Sequence, residues 1–276
     1  MPIEMTVTVP ARPGTLIAPA GLSTPAATCL GVEVTGAGCF GHDLPCGQTV
    51  LELTPNADVI TLRYSYDSTP AEMPDAAFAP RDSRFSRAAD ALAAEARGIV
   101  AQRGLTGFVD HVTQLFHYGH GNAFYEGADE MPQLCAMETG SCVDINAYLI
   151  AGLRAAGVEA GYVTGYFIPA ERRDHTTDMH CWVVTRQGGV VQHWDIAHHL
   201  EMGTRDVRPG LNPKPGVRVA LSHSMGWTLP ALGLEDAKLL AEPVWLTEHG
   251  YAQCDGTFTL AGYDALDAAQ KLELAL

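Results

Sequence analysis

Apolar and polar residues alternate through the first quarter of the chain. The alternation is clear over residues 4–9, 49–53 and 59–66, and a short extended run falls at 31–34. A period of two places side chains on alternate faces, so these runs predict β-strands. Pro10, Pro13, Pro19, Gly36, Gly38, Gly41, Pro45 and Gly47 punctuate the gaps. A small β-rich N-terminal domain is therefore expected over residues 1–75. Residues 68–80 read as a linker, and 80–276 as a second domain.

The period then changes. Asp82-Ser83 offers a cap for a helix running to about Gln102, with Phe85, Ala88, Ala89, Leu92 and Ala96 on one side. Thr106 offers a cap for a second helix, striped by Phe108, Val109, Val112, Leu115 and Phe116. Residues 119–129 are polar and read as a loop near a site. A third helix should begin at Cys142. Ile145, Ala147, Tyr148, Leu149, Ile150, Leu153 and Ala155 leave it little polar surface, and Gly157 is a natural stop. Residues 158–167, 179–185 and 190–195 read as three strands, and a last helix is expected from Tyr263.

Composition narrows the function classes. The chain has 276 residues and is 47% hydrophobic, ample for a core. Its 17 basic and 32 acidic residues give a formal charge of −15, and no basic patch offsets it, so a nucleic-acid partner is not expected. No apolar run approaches the ~18 residues of a membrane span. Residues 1–14 lack the unbroken apolar stretch of a signal peptide, so a cytoplasmic location is expected. The seven cysteines are odd in number and irregularly spaced, which favours free thiols.

Three short stretches carry the chemistry. Cys142 follows Gly140-Ser141 at the start of the buried helix, His180 lies on one strand, and Asp195 ends the next. A helix N-terminus favours a thiolate and supplies N–H donors to an oxyanion, Cys142's own amide being the natural first donor. A thiol nucleophile, a histidine base and an orienting carboxylate follow from this set. If residues 180 and 195 oppose each other directly, the turn centres between Gln187 and Gly188. Both side chains then share one face. A one-residue slip would separate them.

Several motifs reinforce this reading. Gly140-x-Cys142-x-Asp144, Arg154-Ala155-x-Gly157-Val158-x-Ala160, Gly165-Tyr166, His180-x-Trp182 and Trp194-Asp195 resemble, in order, the signature of the transglutaminase-like superfamily. The resemblance covers roughly residues 82–206. It implies an α+β, papain-like catalytic domain, with the cysteine helix packed on an antiparallel sheet. It also implies Cys142 as nucleophile, His180 as base and acid, and Asp195 as orienter. Gly161, where relatives usually carry arginine, and Ile196-Ala197-His198-His199, where many carry a threonine-containing turn, depart from the pattern. Both departures bear on substrate rather than on the three residues.

The expected activity is thiol-mediated acyl transfer on a peptide or amide substrate, hydrolytic in its outcome. Transamidation, or a binding module on the same fold without catalysis, are the alternatives. Trp182 and Trp194 are open to two roles, substrate wall or core aromatic. Gln133 is a candidate second oxyanion donor by analogy with papain-like enzymes, and Asp144 should favour the helix dipole only. No cofactor is expected. His193, His198 and His199, the pair His117 and His120, and Cys29, Cys39 and Cys46 with His42 lack the spacing of a metal site. Oligomeric state is not legible.

Overall fold

Strand alternation and one buried helix set the layers. The computed structural model describes residues 2–273, apart from 178, 211 and 224. Six strands come first: β1 (Ile3–Pro10), β2 (Leu16–Pro19), β3 (Thr28–Thr35), β4 (Ala37–Asp43), β5 (Thr49–Pro55) and β6 (Val59–Asp67). Next come α1 (Asp90–Leu115), β7 (Phe116–Tyr118), β8 (Glu138–Gly140), α2 (Cys142–Ala155), β9 (Ala160–Pro169) and β10 (His175–Thr176). The chain continues through β11 (Met179–Gln187), β12 (Val190–Trp194), α3 (Ile196–Glu201) and β13 (Gly216–His223). Five short strands follow: β14 (Trp227–Leu229), β15 (Leu234–Ala237), β16 (Val244–Thr247), β17 (Gly250–Gln253) and β18 (Thr257–Ala261). Helix α4 (Tyr263–Glu273) comes last.

A four-stranded antiparallel sheet, in the order β12-β11-β9-β13, lies at the centre. Helix α2 covers one face of it. Tyr162, Cys181, Val183 and Trp194 share a core with Ile145, Leu149 and Ile150 of α2 and with Phe108 and Val112 of α1. The alternate residues Val163, Trp182, Val184 and Ala220 face the other way, into a separate core with Leu22, Met73 and Phe78. This α+β arrangement is the fold class expected.

Strand pairing crosses the boundary expected near residues 75–80. β1 pairs with β18 and β6, and β2 pairs with β16 and β5, so the tail of the chain completes the sheets begun by its head. Ile3, Met5, Val7 and Leu62 share one core with Val217, Val219, Trp245 and Phe258. The physical reason is edge protection: a sheet built only from residues 1–75 would leave β1 and β2 with unpaired N–H and C=O groups along one side.

The helices differ from expectation at their starts. Ser83 caps nothing helical. Its hydroxyl donates to Asp236 at 2.7 Å and accepts from the Phe85 N–H, and α1 begins at Asp90. The break between the two expected helices falls at Gly104 (φ 72°, ψ −175°), just before Thr106. Helix α2 ends as read, with Gly157 at φ 80°. Among the described residues no helix is long and apolar enough to cross a membrane.

Gly165 holds the centre of this sheet together. It pairs with His180 on one side and Ala220 on the other, and a Cβ there would land on the Val219 carbonyl. Overpacking of this kind costs about 1–3 kcal/mol, so Gly165→Ala should lower the melting temperature by roughly 5 °C. Thermal denaturation followed by circular dichroism measures this, and an unchanged melting temperature would mean the strands are not that close.

Candidate active site

Cys142 is the first residue of α2 and is 7% exposed. The segment before it is pinned by a single carboxylate. The Ser141 backbone N–H and hydroxyl both donate to Asp144 Oδ2, at 2.9 and 2.7 Å, and the Tyr125 hydroxyl donates to Oδ1 at 2.9 Å. Asp144 therefore fixes the approach to Cys142, a larger role than its place in the helix field alone suggests. Gly140 is needed for space rather than for a turn. It is not among the positive-φ glycines, but a Cβ there would sit 3.0 Å from Cδ1 of Phe116. Asn146, one turn into the helix, donates to the Cys181 carbonyl at 2.8 Å and ties α2 to the strand carrying His180.

The hairpin from β11 to β12 differs in register from the expectation yet keeps its face. Gln187 pairs with Val190, so the turn is Gly188-Gly189, with φ of 58° and 83°. Two positive φ values in a two-residue loop suit the right-handed strand twist. Val183 pairs with Trp194. Asp195 thus continues toward Trp182 rather than His180, a displacement of two residues. Residues 180 and 182 share a face, so the shift preserves parity and the two side chains still meet. His180 Nε2 lies 2.8 Å from Asp195 Oδ2, and the His180 side chain is in hydrogen-bond contact with Cys142. All three residues picked from the sequence come together.

Asp195 is also the N-cap of α3, its Oδ1 accepting from the His198 N–H at 3.1 Å. Arg218 on β13 donates through Nη2 to Oδ2. His198 Nδ1 lies 3.0 Å from the same oxygen, without hydrogen-bond alignment. Sequence reasoning left Arg218 out, although a lone arginine in the apolar run of residues 217–221 was a visible signal.

These contacts set the protonation states. The Cys181 thiol, in hydrogen-bond contact with Cys142, pulls the Cys142 pKa well below its ordinary value. Burial opposes this and His180 reinforces it. Burial pushes Cys181 well above, so it remains a thiol donor. Burial alone would lower His180, but the Asp195 charge and the contacts with Asp195 and Cys142 raise it to about 9. Burial would raise Asp195, yet His180 and Arg218 hold it well below the usual carboxylate range. The contacts thus favour a thiolate beside an imidazolium, over a carboxylate.

The remaining candidates separate. Trp182 is buried, stacks toward His180 (centroids 6.2 Å apart, 23° between planes) and donates its indole N–H to His193 Nδ1 at 3.1 Å. It also lines a cavity of about 480 Å³ with His193 and Arg218, which Cys142 does not reach. Trp194 is 1% exposed in the core under α2, its N–H on Thr185 Oγ1 at 2.8 Å, which is the core position of its two possible roles. Gln133 is half-buried in the loop before β8, and no described hydrogen bond links it to Cys142. Cys29, Cys39 and Cys46 do not form a ligand cluster with His42, which instead pairs with Glu52 at 2.7 Å.

Among the described residues one group has metal-ligating atoms close together, within 4.8 Å: His180, Asp195 and His198. The two imidazoles, however, lie face to face, 1° from parallel. Their nitrogen lone pairs run alongside each other instead of converging on one point, and Arg218 already occupies Oδ2. Tetrahedral ligation does not fit this geometry.

Comparison with known proteins places this site in context. Residues 87–189 match the transglutaminase-like superfamily. None of the curated proteins matches the chain. A solved structure from Cytophaga hutchinsonii, described as a candidate cysteine protease, is 14% identical with a TM-score of 0.51. The alignment covers 95% of this chain and 98% of that one, a likeness of fold. The periplasmic domain of TgpA from Pseudomonas aeruginosa, bound to ethylmercury, is 19% identical with a TM-score of 0.39, over 71% of this chain and 76% of that one.

The Asp144 network generates its own test. Asp144→Ala would leave the Ser141 N–H and hydroxyl and the Tyr125 hydroxyl without their acceptor. A loss of about 1–3 kcal/mol is expected, read as a lower urea midpoint with an unchanged slope. An unaltered midpoint would mean the network does not hold the start of α2.

Proposed function

Taking as premise that the chain carries a transglutaminase-like superfamily core, we propose that it is a cysteine-dependent hydrolase of amide bonds. The observation that carries this reading is the buried His180 side chain, which touches Asp195 on one side and Cys142, at the head of α2, on the other. On this reading the Cys142 thiolate attacks the amide carbonyl carbon. The unpaired N–H groups of the first turn of α2 stabilise the oxyanion. His180 then gives its proton to the leaving amine as the C–N bond breaks, which leaves a thioester on Cys142. Water attacks the thioester, His180 takes the proton, and the acid is released as the C–S bond breaks, with the Cys142 thiolate and the His180 imidazolium restored.

Asp195 orients the ring and stabilises its cationic form, with Arg218 keeping the carboxylate ionised. Water is the acceptor of the main reading because, among the described residues, no side chain at the head of α2 marks an amine site. A primary amine attacking the same thioester would give transamidation instead. The substrate class is a peptide or protein amide, and the location we propose is cytoplasmic.

Denatured casein with dansylcadaverine as competing amine separates these outcomes by mass spectrometry. New peptide termini or side-chain acids report hydrolysis, and a dansyl adduct reports transamidation. Cys142→Ala should lose whichever activity the wild type shows by a factor on the order of 10⁴ or more while melting normally. Retained turnover in that variant would overturn the assignment.

A further inference from the structure

One buried histidine has no part in the acyl-transfer scheme and yet lies against its centre. The His198 ring lies face to face with His180, with centroids 3.8 Å apart and planes 1° from parallel. It is 4% exposed, and the Phe167 ring packs beside it, tilted 70° with centroids 4.6 Å apart. The backbone N–H of the same residue donates to Asp195 Oδ1 at 3.1 Å, so the ring hangs from the residue that orients His180.

Resting on the reading above, we propose that His198 is a positioning residue. Its neutral ring is a platform that holds the His180 imidazolium flat and stabilises its charge through the aromatic face.

Two cations would not stack in a buried site, so one ring must be neutral. Burial pushes His198 down, while His180 is held up. The charged and titratable groups around His198 fit that division. His180 on β11 and Arg218 on β13 disfavour a second positive charge. Asp195, 3.0 Å from His198 Nδ1, pulls the other way but is shared with His180 and Arg218, and burial outweighs it; Glu201, 4.0 Å from His198 Nε2, is engaged by Lys214 at 3.2 Å. Tyr118 on β7 lies close enough to feel Asp195 and Glu201 and remains a neutral phenol. An aromatic face under a desolvated cation is favourable. Without it the imidazolium should lose its proton at lower pH.

The test uses iodoacetate alkylation of Cys142 between pH 5 and 10, read by peptide mass spectrometry. The anionic reagent is drawn to the thiolate by the adjacent imidazolium, so its rate should fall as His180 deprotonates, near pH 9 in the wild type. His198→Asn keeps a polar side chain beside Asp195 but removes the aromatic face, and should move this alkaline limb down by roughly 0.5–1 pH unit. His198→Phe restores the face without the nitrogens, and the limb should return to the wild-type position. If His198→Asn fails to fold, His198→Met fills the same space without an aromatic face and should show the same downward shift. An unmoved limb in the folded, non-aromatic variant overturns the proposal. So does an equal shift in His198→Asn and His198→Phe, which would give the role to the nitrogens. A wild type with no alkaline limb would instead count against the thiolate–imidazolium reading itself.

Discussion

Asp195 is a carboxylate with almost no contact with water, and three separate elements meet on it. His180 reaches it from β11, Arg218 from β13, and the first turn of α3 donates to it through the His198 N–H. An ion buried this deeply is tolerable only when each of its lone pairs is engaged. Removing any partner would leave a charge exposed to a medium that cannot solvate it. That requirement locks the end of the β11–β12 hairpin, the start of α3 and the middle of β13 into one arrangement. The position of the His180 ring follows from it.

Helix α2 meets this assembly from the other face of the sheet. Its apolar residues are buried against Tyr162, Val183 and Trp194, which fixes the helix axis. The Asn146 hydrogen bond to Cys181 then sets its height along β11. Cys142 arrives beside His180 because both anchors act on the same short stretch of strand. Cys181, between His180 and Trp182, contributes directly through the hydrogen-bond contact of its thiol with the Cys142 sulfur. Packing that places the helix and polarity that tunes the sulfur therefore come from adjacent residues.

Much of this was legible because it is local. The all-round apolar pattern of residues 145–155 marked a buried helix, and Gly157 its end. The strands holding His180 and Asp195 followed from alternation, and their shared face survived an error of two in pairing because side chains repeat every two residues. What was not legible is mainly long-range. The return of β16 and β18 into the N-terminal sheets joins residues more than 220 apart in sequence, and strands of four or five residues leave too little pattern to read. Arg218 and His198 acquire meaning only when β13 and α3 are brought to Asp195, and neither has a spacing that announces it. The helix start expected at residues 82–83 failed for the same kind of reason: the Ser83 hydroxyl is taken by Asp236, far along the chain.

The central claim is that the contacts with Cys181 and His180, acting against burial, leave Cys142 as a thiolate beside the His180 imidazolium. Iodoacetamide alkylation measured at each of the seven cysteines across pH, in the wild type and in His180→Ala, tests it most directly. An unperturbed thiol has a pKa near ~8.5. The account predicts that Cys142 alone reacts well below that pH and that this reactivity disappears with His180. Alkylation of Cys142 no faster than of its six companions, or unchanged by removal of His180, would contradict it.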